Sequence, residues 1–441
     1  MLVKIIDSGE FITKADFYLS GGGGDEAAQA AVNAIVGEII AAARAEGDAA
    51  VRRYAERFEK DVPEKFEVPV ETAKEAWESL KSAESGLAAA LTLASDNIRR
   101  FGELQKGQLR DFEAEIAPGL FTGQRVIPVE RAAIYVPGGR FPLISSALMT
   151  LIPASVAGVR EKIFVSPPGP GGLPDSRILA AAYLSGADRF FSLGGAQAIA
   201  ALALGTESVP KVDLIAGPGN KYVAAAKRLL FGEVGIDFIA GPTDVLIIGD
   251  GAEAVDFCAA DMLAQAEHDP DARARALVPD RETAERIEQA LEKRLAPLPT
   301  AGTARASLEA GGLIIVYESR EEALKIANLI APEHLELFAA SPDEWIPSLR
   351  NYGSLFIGAA AAEVLGDYSA GINHTLPTSA SARFTGGLSV RNFLKTVTTL
   401  RCTPGKGYAQ VIEAAETIAR AEGLAAHAES AKIRSHSGCL R

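Results

Sequence analysis

Ala132-Ala-Ile-Tyr-Val136 runs straight into Pro137-Gly-Gly139, and the reading of that stretch decides the fold. A short, uninterrupted apolar run suits a strand buried on both faces, and glycines after it suit a tight turn into a helix. The texture recurs downstream. Lys162-Ile-Phe-Val165 ends at Ser166-Pro-Pro-Gly169, Arg189-Phe-Phe-Ser-Leu193 at Gly194-Gly195, and Val212-Asp-Leu-Ile-Ala216 at Gly217-Pro-Gly219. Alanine-rich helical sequence fills the intervals. Strand, turn and helix repeated roughly every 25–30 residues is the pattern of a parallel sheet with right-handed crossovers.

Outward from this block, Asp244-Val-Leu-Ile-Ile-Gly249, Gly312-Leu-Ile-Ile-Val-Tyr317 and Leu355-Phe-Ile-Gly358 read as strands of a second such sheet. Upstream, Gly21–Gly24 break the chain after an irregular N-terminal segment. A helical pattern then runs from Asp25 to Phe58, interrupted at Gly47-Asp48, and another from about Val70 to Lys106. From Val390 on, the sequence reads as helical, with no glycine-terminated strand. The expectation is an α/β protein with two Rossmann-like parallel-sheet domains plus small N-terminal and C-terminal helical segments.

Composition narrows the function classes. The 441 residues are 48% hydrophobic and 23% charged, ordinary for a folded enzyme. A formal net charge of −13 argues against nucleic acid or an anionic membrane as partner, because both need a basic face. Cys258, Cys402 and Cys439 are scattered and odd in number, which excludes a disulfide framework and fits a reducing compartment. Met1-Leu-Val-Lys-Ile-Ile-Asp-Ser is too short in apolar run for a signal peptide, and no stretch reaches the ~18 apolar residues of a membrane span. A cytoplasmic location is expected.

Three turns could approach a ligand beyond the carboxyl ends of strands: Val136-Pro-Gly-Gly-Arg140, Gly194-Gly-Ala-Gln197 and Gly217-Pro-Gly-Asn220. None is the G-x-G-x-x-G dinucleotide fingerprint, and a glycine after a strand also serves any tight turn. Two further segments carry chemistry. In Gln265-Ala-Glu-His268 two ligand-type side chains stand three apart in what reads as a helix, so they share a face. In Ala331-Pro-Glu333-His334 a carboxylate beside an imidazole suits proton transfer. Pro332-Glu333 could equally open a helix, where proline and an acidic residue are favoured. Gly366-Asp367 leads through a turn-rich loop to His374, and Glu422 precedes His427 in the terminal piece.

Tyr135-Val-Pro-Gly-Gly139, Gly194-Gly-Ala-Gln-Ala-Ile-Ala-Ala-Leu202 and Gly217-Pro-Gly-Asn-Lys-Tyr-Val223 together resemble the histidinol dehydrogenase family. Gly205-Thr-Glu-Ser208 and Ala240-Gly-Pro242 match it too, and the similarity runs in consistent order from about Gly47 to Arg434. The resemblance implies NAD contacts from Tyr135, Gln197 and Asn220, one Zn²⁺ per subunit on Gln265, His268, Asp367 and His427, and Glu333 and His334 as the acid/base pair. It implies further substrate contacts from Thr243, His374 and Glu422, with His334 and the four zinc residues also facing the substrate. It also implies a domain plan: an N-terminal segment 1–27, a discontinuous metal and substrate domain of 28–134 and 242–388, an NAD domain 135–241, and a tail 389–441 exchanged within a homodimer. The activity implied is four-electron oxidation of L-histidinol to L-histidine, an amino-alcohol substrate. A related zinc and NAD dehydrogenase of another polar alcohol, and a non-catalytic binding protein on the same fold, are the alternatives. Thr243-Asp244 stands where the family usually has Ser-Glu, Phe141-Pro-Leu143 where Ala-Tyr-Pro is commoner, and Asp269 where glycine is usual. Glu422 favours a nitrogen-bearing substrate over an anionic sulfonate.

Overall fold

The computed structural model describes residues 2–20, 26–138, 142–250 and 254–436. The four-glycine break, Gly139-Arg140-Phe141 and the terminal stretch with Cys439 lie outside them.

Two six-stranded sheets organise the chain. The first is ordered 67–68, 189–192, 161–166, 131–135, 214–216, 235–236, and all its pairings are parallel except that of the short edge strand 67–68. Alternate residues of its central strand feed opposite layers. Ala132 and Ile134 join one apolar cluster, Ala133 and Tyr135 the other. Helices Glu26–Glu46 and Asp48–Phe58 cover the second layer, and helices Val70–Ala83 and Ser85–Gly107 the first. The apolar faces of the helices within 26–107 thus rest on the first sheet. Leu80, Leu91 and Ile98 are buried there with Leu148 and Phe190, and at about 1.5–3 kcal/mol for each large side chain that surface fixes where the helices belong.

The second sheet is fully parallel, in the order 4–7, 313–316, 273–278, 244–249, 334–338, 354–357. Its edge strand Lys4–Asp7 comes from the segment expected to be irregular. Strand His334–Phe338 replaces the helix that Pro332-Glu333 could have opened. The preceding helix, Arg320–Ile330, closes on Ala331 in the left-handed region (φ 50°), so the chain turns sharply before Pro332.

A third, antiparallel sheet orders 394–402, 120–128 and 112–117. It corrects the all-helical expectation for the tail. Thr396-Val-Thr-Thr399 is a β-branched run suited to a strand, and a strand paired antiparallel needs no glycine turn into a helix. Helices Lys406–Ala421 and Ala425–His436 follow and pack on each other. Phe112, Ile116, Leu400 and Ile418 are all more than half exposed on this outlying part. Among the described residues no helix is long and apolar enough to cross a membrane.

Candidate active site

In the second sheet the chain lays strands 273–278 and 313–316 on one side of 244–249, then returns to place 334–338 on the other. Register sets Val245 beside His334, so Thr243, Asp244, Glu333 and His334 meet where these two strands begin. Asp244 and Glu333 hold each other reciprocally. The Asp244 N–H donates to Glu333 Oε2 at 3.1 Å, and the Glu333 N–H to Asp244 Oδ1 at 3.1 Å. Thr243 Oγ1 donates to the same Glu333 oxygen at 2.5 Å. Burial raises the Asp244 carboxyl above its ordinary value, and buried Arg275, 3.6 Å from its other oxygen, opposes that shift without cancelling it. The Thr243-Asp244 pair therefore positions Glu333.

His334 is 3% exposed, and its Nδ1 lies 3.4 Å from the Asp244 carbonyl oxygen, 3.5 Å from Glu363 Oε1 and 3.8 Å from Glu333 Oε2. Its Nε2 faces Asp367 Oδ1 at 3.4 Å. Burial alone would lower the imidazole pKa, but Glu363, Glu333 and Asp367 outweigh it and hold it well above the ordinary value. Burial pushes the Glu333 carboxyl up to about 7 and that of Glu363 to about 8. Asp367 is also pushed up by burial, yet its contact with His334 and the nearby His374 and His268 leave it below its ordinary range.

Gln265 is fully buried in the last turn of helix Val255–Ala266, its amide 2.6 Å from Thr243 Oγ1. With the amide oxygen turned to Thr243 and the Asp244 N–H, its nitrogen donates to Glu363 Oε1 at 2.6 Å. His268 does not share that helix. The helix ends at Ala266, with Pro270 close behind, and His268 is exposed beyond the cap. It lines a cavity of about 560 Å³ together with Leu91, Ile144, Leu148 and Tyr368. Asp367 lies in the short helix Glu363–Tyr368, just ahead of the loop that leads to His374. His374 Nδ1 is 2.9 Å from the Asp367 carbonyl oxygen and its Nε2 3.4 Å from Ser146 Oγ, and burial lowers its pKa. Across the same crevice Asn97 Nδ2 donates to the Ser369 carbonyl at 2.9 Å, tying the two halves.

His427 and Glu422 are exposed on the terminal helix pair. Among the described residues the group able to gather on a metal ion is His334, Glu363 and Asp367, which does not include them. Glu363 escaped the sequence reading, although Glu363-x-x-x-Asp367 puts two carboxylates one helical turn apart. His334 Nε2, Glu363 Oε2 and Asp367 Oδ1 are all buried without a hydrogen-bond partner. Buried polar atoms left without partners in this way, two of them carboxylate oxygens and beside a second imidazole, fit a divalent cation such as Zn²⁺.

The first sheet has its own reversal. Strands 161–166 and 189–192 lie on one side of 131–135, and 214–216 lies on the other. Tyr135 ends the central strand, and its hydroxyl accepts from the Gly195 N–H at 3.2 Å. Gly217 has φ +110°, and a Cβ there would stand 2.1 Å from the Tyr135 carbonyl oxygen, so only glycine fits. Asn220 caps helix Lys221–Leu230, its side-chain oxygen accepting from the Tyr222 and Val223 N–H groups, which leaves its NH₂ for a ligand. Gln197 is buried and donates to Glu59 Oε1 at 3.4 Å, and the Gly194 N–H donates to the same oxygen at 2.7 Å. Burial pushes the Glu59 carboxyl up to about 7, and its other oxygen has no partner. Cys258 is core, its thiol pushed up by burial.

A metal-capable carboxylate cluster around a buried acid/base pair, beside a second parallel sheet with glycine turns at its switch point, gives this α/β protein the make-up of an enzyme. The histidinol dehydrogenase profile matches residues 24–435, and the chain belongs to that family. It is 47% identical to a histidinol dehydrogenase of Thermus thermophilus, covering 91% of this chain and 94% of that protein. A histidinol dehydrogenase of Aromatoleum aromaticum is 44% identical over 97% of this chain and 96% of its own length. The crystal structure of histidinol dehydrogenase from Elizabethkingia anophelis superposes with a TM-score of 0.86 at 34% identity, covering 91% of this chain and 92% of that one.

Proposed function

We propose that this chain oxidises L-histidinol to L-histidine through L-histidinaldehyde, passing two hydrides in turn to NAD⁺ in the last steps of histidine biosynthesis. The buried Glu333–His334 pair, set against unpartnered acceptors, carries the reading, and membership of the histidinol dehydrogenase family supports it. Gln265, His268 and Asp367 would hold Zn²⁺, with His427 supplied by a second copy of the chain. Bound there, Zn²⁺ would supply a Lewis acid for orienting and polarising the substrate.

The remaining roles belong to the chain's own groups. His334 accepts the alcohol proton as hydride leaves, and accepts a second proton in the aldehyde stage. Glu333, held by Thr243 and the Asp244 N–H, takes a proton from the water that hydrates the aldehyde. His374, Thr243 and a partner-supplied Glu422 line the substrate. Tyr135, Gln197 and the Asn220 NH₂ meet the dinucleotide at the first sheet's switch point. The working unit is a homodimer with exchanged tails, which would cover the exposed Phe112, Ile116 and Leu400.

NADH formation measured with L-histidinol and with a panel of other amino- and sulfo-alcohols tests the substrate. Turnover of L-histidinol well above the rest is expected. Preference for a different alcohol would place the chain among related dehydrogenases instead.

A further inference from the structure

Glu336 is fully buried two residues beyond His334 on the same strand, and therefore on the same face. Leu335 and Leu337 point the other way, into an apolar cluster. An ionised carboxylate at such a position costs several kcal/mol, so its surroundings show what holds it there. Oε1 accepts from the backbone N–H of Glu363 at 2.7 Å. Glu363 is the first residue of helix Glu363–Tyr368, whose own N-cap, Ala362, offers no side-chain acceptor. Glu336 thus supplies from a neighbouring strand the acceptor a capping residue would give. The other side of the Glu336 carboxyl meets Asp261, one helical turn before Gln265. Oε2, on the side of the carboxyl away from the Glu363 N–H, is buried without a hydrogen-bond partner, and burial pushes the Glu336 carboxyl up to about 9.

Three elements each contribute to two tiers. The upper tier is His334, Gln265 and Asp367; the lower is Glu336, Asp261 and the backbone N–H of Glu363, whose carboxylate reaches up to His334 Nδ1 at 3.5 Å. A six-residue helix has too few hydrogen bonds to hold its own place, yet this one carries Glu363 and Asp367.

We propose that Glu336 is a positioning residue that pins the first turn of helix Glu363–Tyr368 and so fixes Asp367 and Glu363 against His334 for metal binding. The metal part rests on the reading of Asp367 as a ligand. The test compares full-length wild type with Glu336→Gln, Glu336→Asp and Glu336→Leu, measuring the zinc dissociation constant by chelator competition, amide exchange over 363–368 in the metal-free protein, and thermal unfolding. Gln keeps the acceptor oxygen and offers NH₂ to Asp261, so zinc binding within about twofold of wild type and unchanged exchange are expected. Asp falls one methylene short and Leu has no acceptor. Both should bind zinc about 10–100-fold more weakly and exchange faster over 363–368. If Glu336→Leu does not fold, Glu336→Asp gives the answer. A merely structural role would lower the melting temperature without separating Gln from Asp in zinc affinity. Wild-type zinc binding and exchange in Glu336→Asp, or a Glu336→Gln loss as large as that of Asp, overturns the proposal. Wild type that binds no zinc defeats the metal assignment, while exchange still decides the pinning.

Discussion

His334 Nε2 and Asp367 Oδ1 lie 3.4 Å apart, both buried, and neither makes a hydrogen bond. A divalent cation held on Asp367 would resolve that arrangement, and protons on the neighbouring groups oppose its charge. Glu333 and Glu363 hold their protons up to about 7 and 8, and His334 holds its own well above the ordinary value. A cation held on Asp367 beside these groups would disfavour their extra protons by charge repulsion, so zinc affinity should tighten as pH rises from about 6 to about 9. Isothermal titration in two buffers of different ionisation enthalpy should also show proton release. Affinity independent of pH would contradict this account of the cluster.

Chelation should abolish turnover while leaving a cooperative fold. The apolar layers on both sheets are complete without an ion, and the cluster sits at the strand ends, outside them. Circular dichroism and thermal unfolding of the chelated protein check this. Global unfolding would make the ion a folding element.

Glu333→Gln should impair aldehyde oxidation more than alcohol oxidation, because only the second stage needs activated water. His334→Asn should slow both stages, since each delivers a proton to the base. Stage-resolved kinetics started from the alcohol or the aldehyde distinguish the two, and equal losses for Glu333→Gln would refute the division of roles.

The parallel sheets were legible because buried strands closed by glycine announce themselves; strands 131–135, 161–166, 189–192 and 244–249 all carry that mark. Strand 394–402 carries no such mark, since antiparallel pairing needs no crossover. The pairing of Glu333 with His334 could be read, but its anchor in Asp244 could not, because that contact arises from register between strands 89 residues apart in sequence. Glu336 was hidden by habit of composition: His334-Leu-Glu336-Leu-Phe338 alternates as a strand should, yet a carboxylate inside one is ordinarily at the surface. His268 was misplaced on the helix because spacing alone does not show where a helix stops.

Asn220 does structural work that a cofactor role does not require. Asn220→Ala should cost about 1 kcal/mol of stability through the lost cap. Asn220→Ser should restore most of that stability while leaving NAD binding weakened, because serine caps but offers no NH₂. Thermal unfolding beside NAD titration separates the effects, and full recovery of both by serine would remove Asn220 from the cofactor site.

Exchange of the tail predicts complementation. His427→Ala and Glu333→Gln, co-expressed at equal levels, should recover roughly a quarter of wild-type activity, because half of the dimers are mixed and each carries one intact site. No recovery with proven heterodimers would show that His427 serves its own subunit or none.

The most direct test of the central claim is the stoichiometry of a complete reaction. A limiting amount of L-histidinol is incubated with excess NAD⁺ and zinc-loaded enzyme, and NADH and product are quantified together. Two NADH and one L-histidine per L-histidinol are predicted. One NADH with aldehyde accumulating, or no NADH from L-histidinol at all, would contradict a single site that carries out both oxidations.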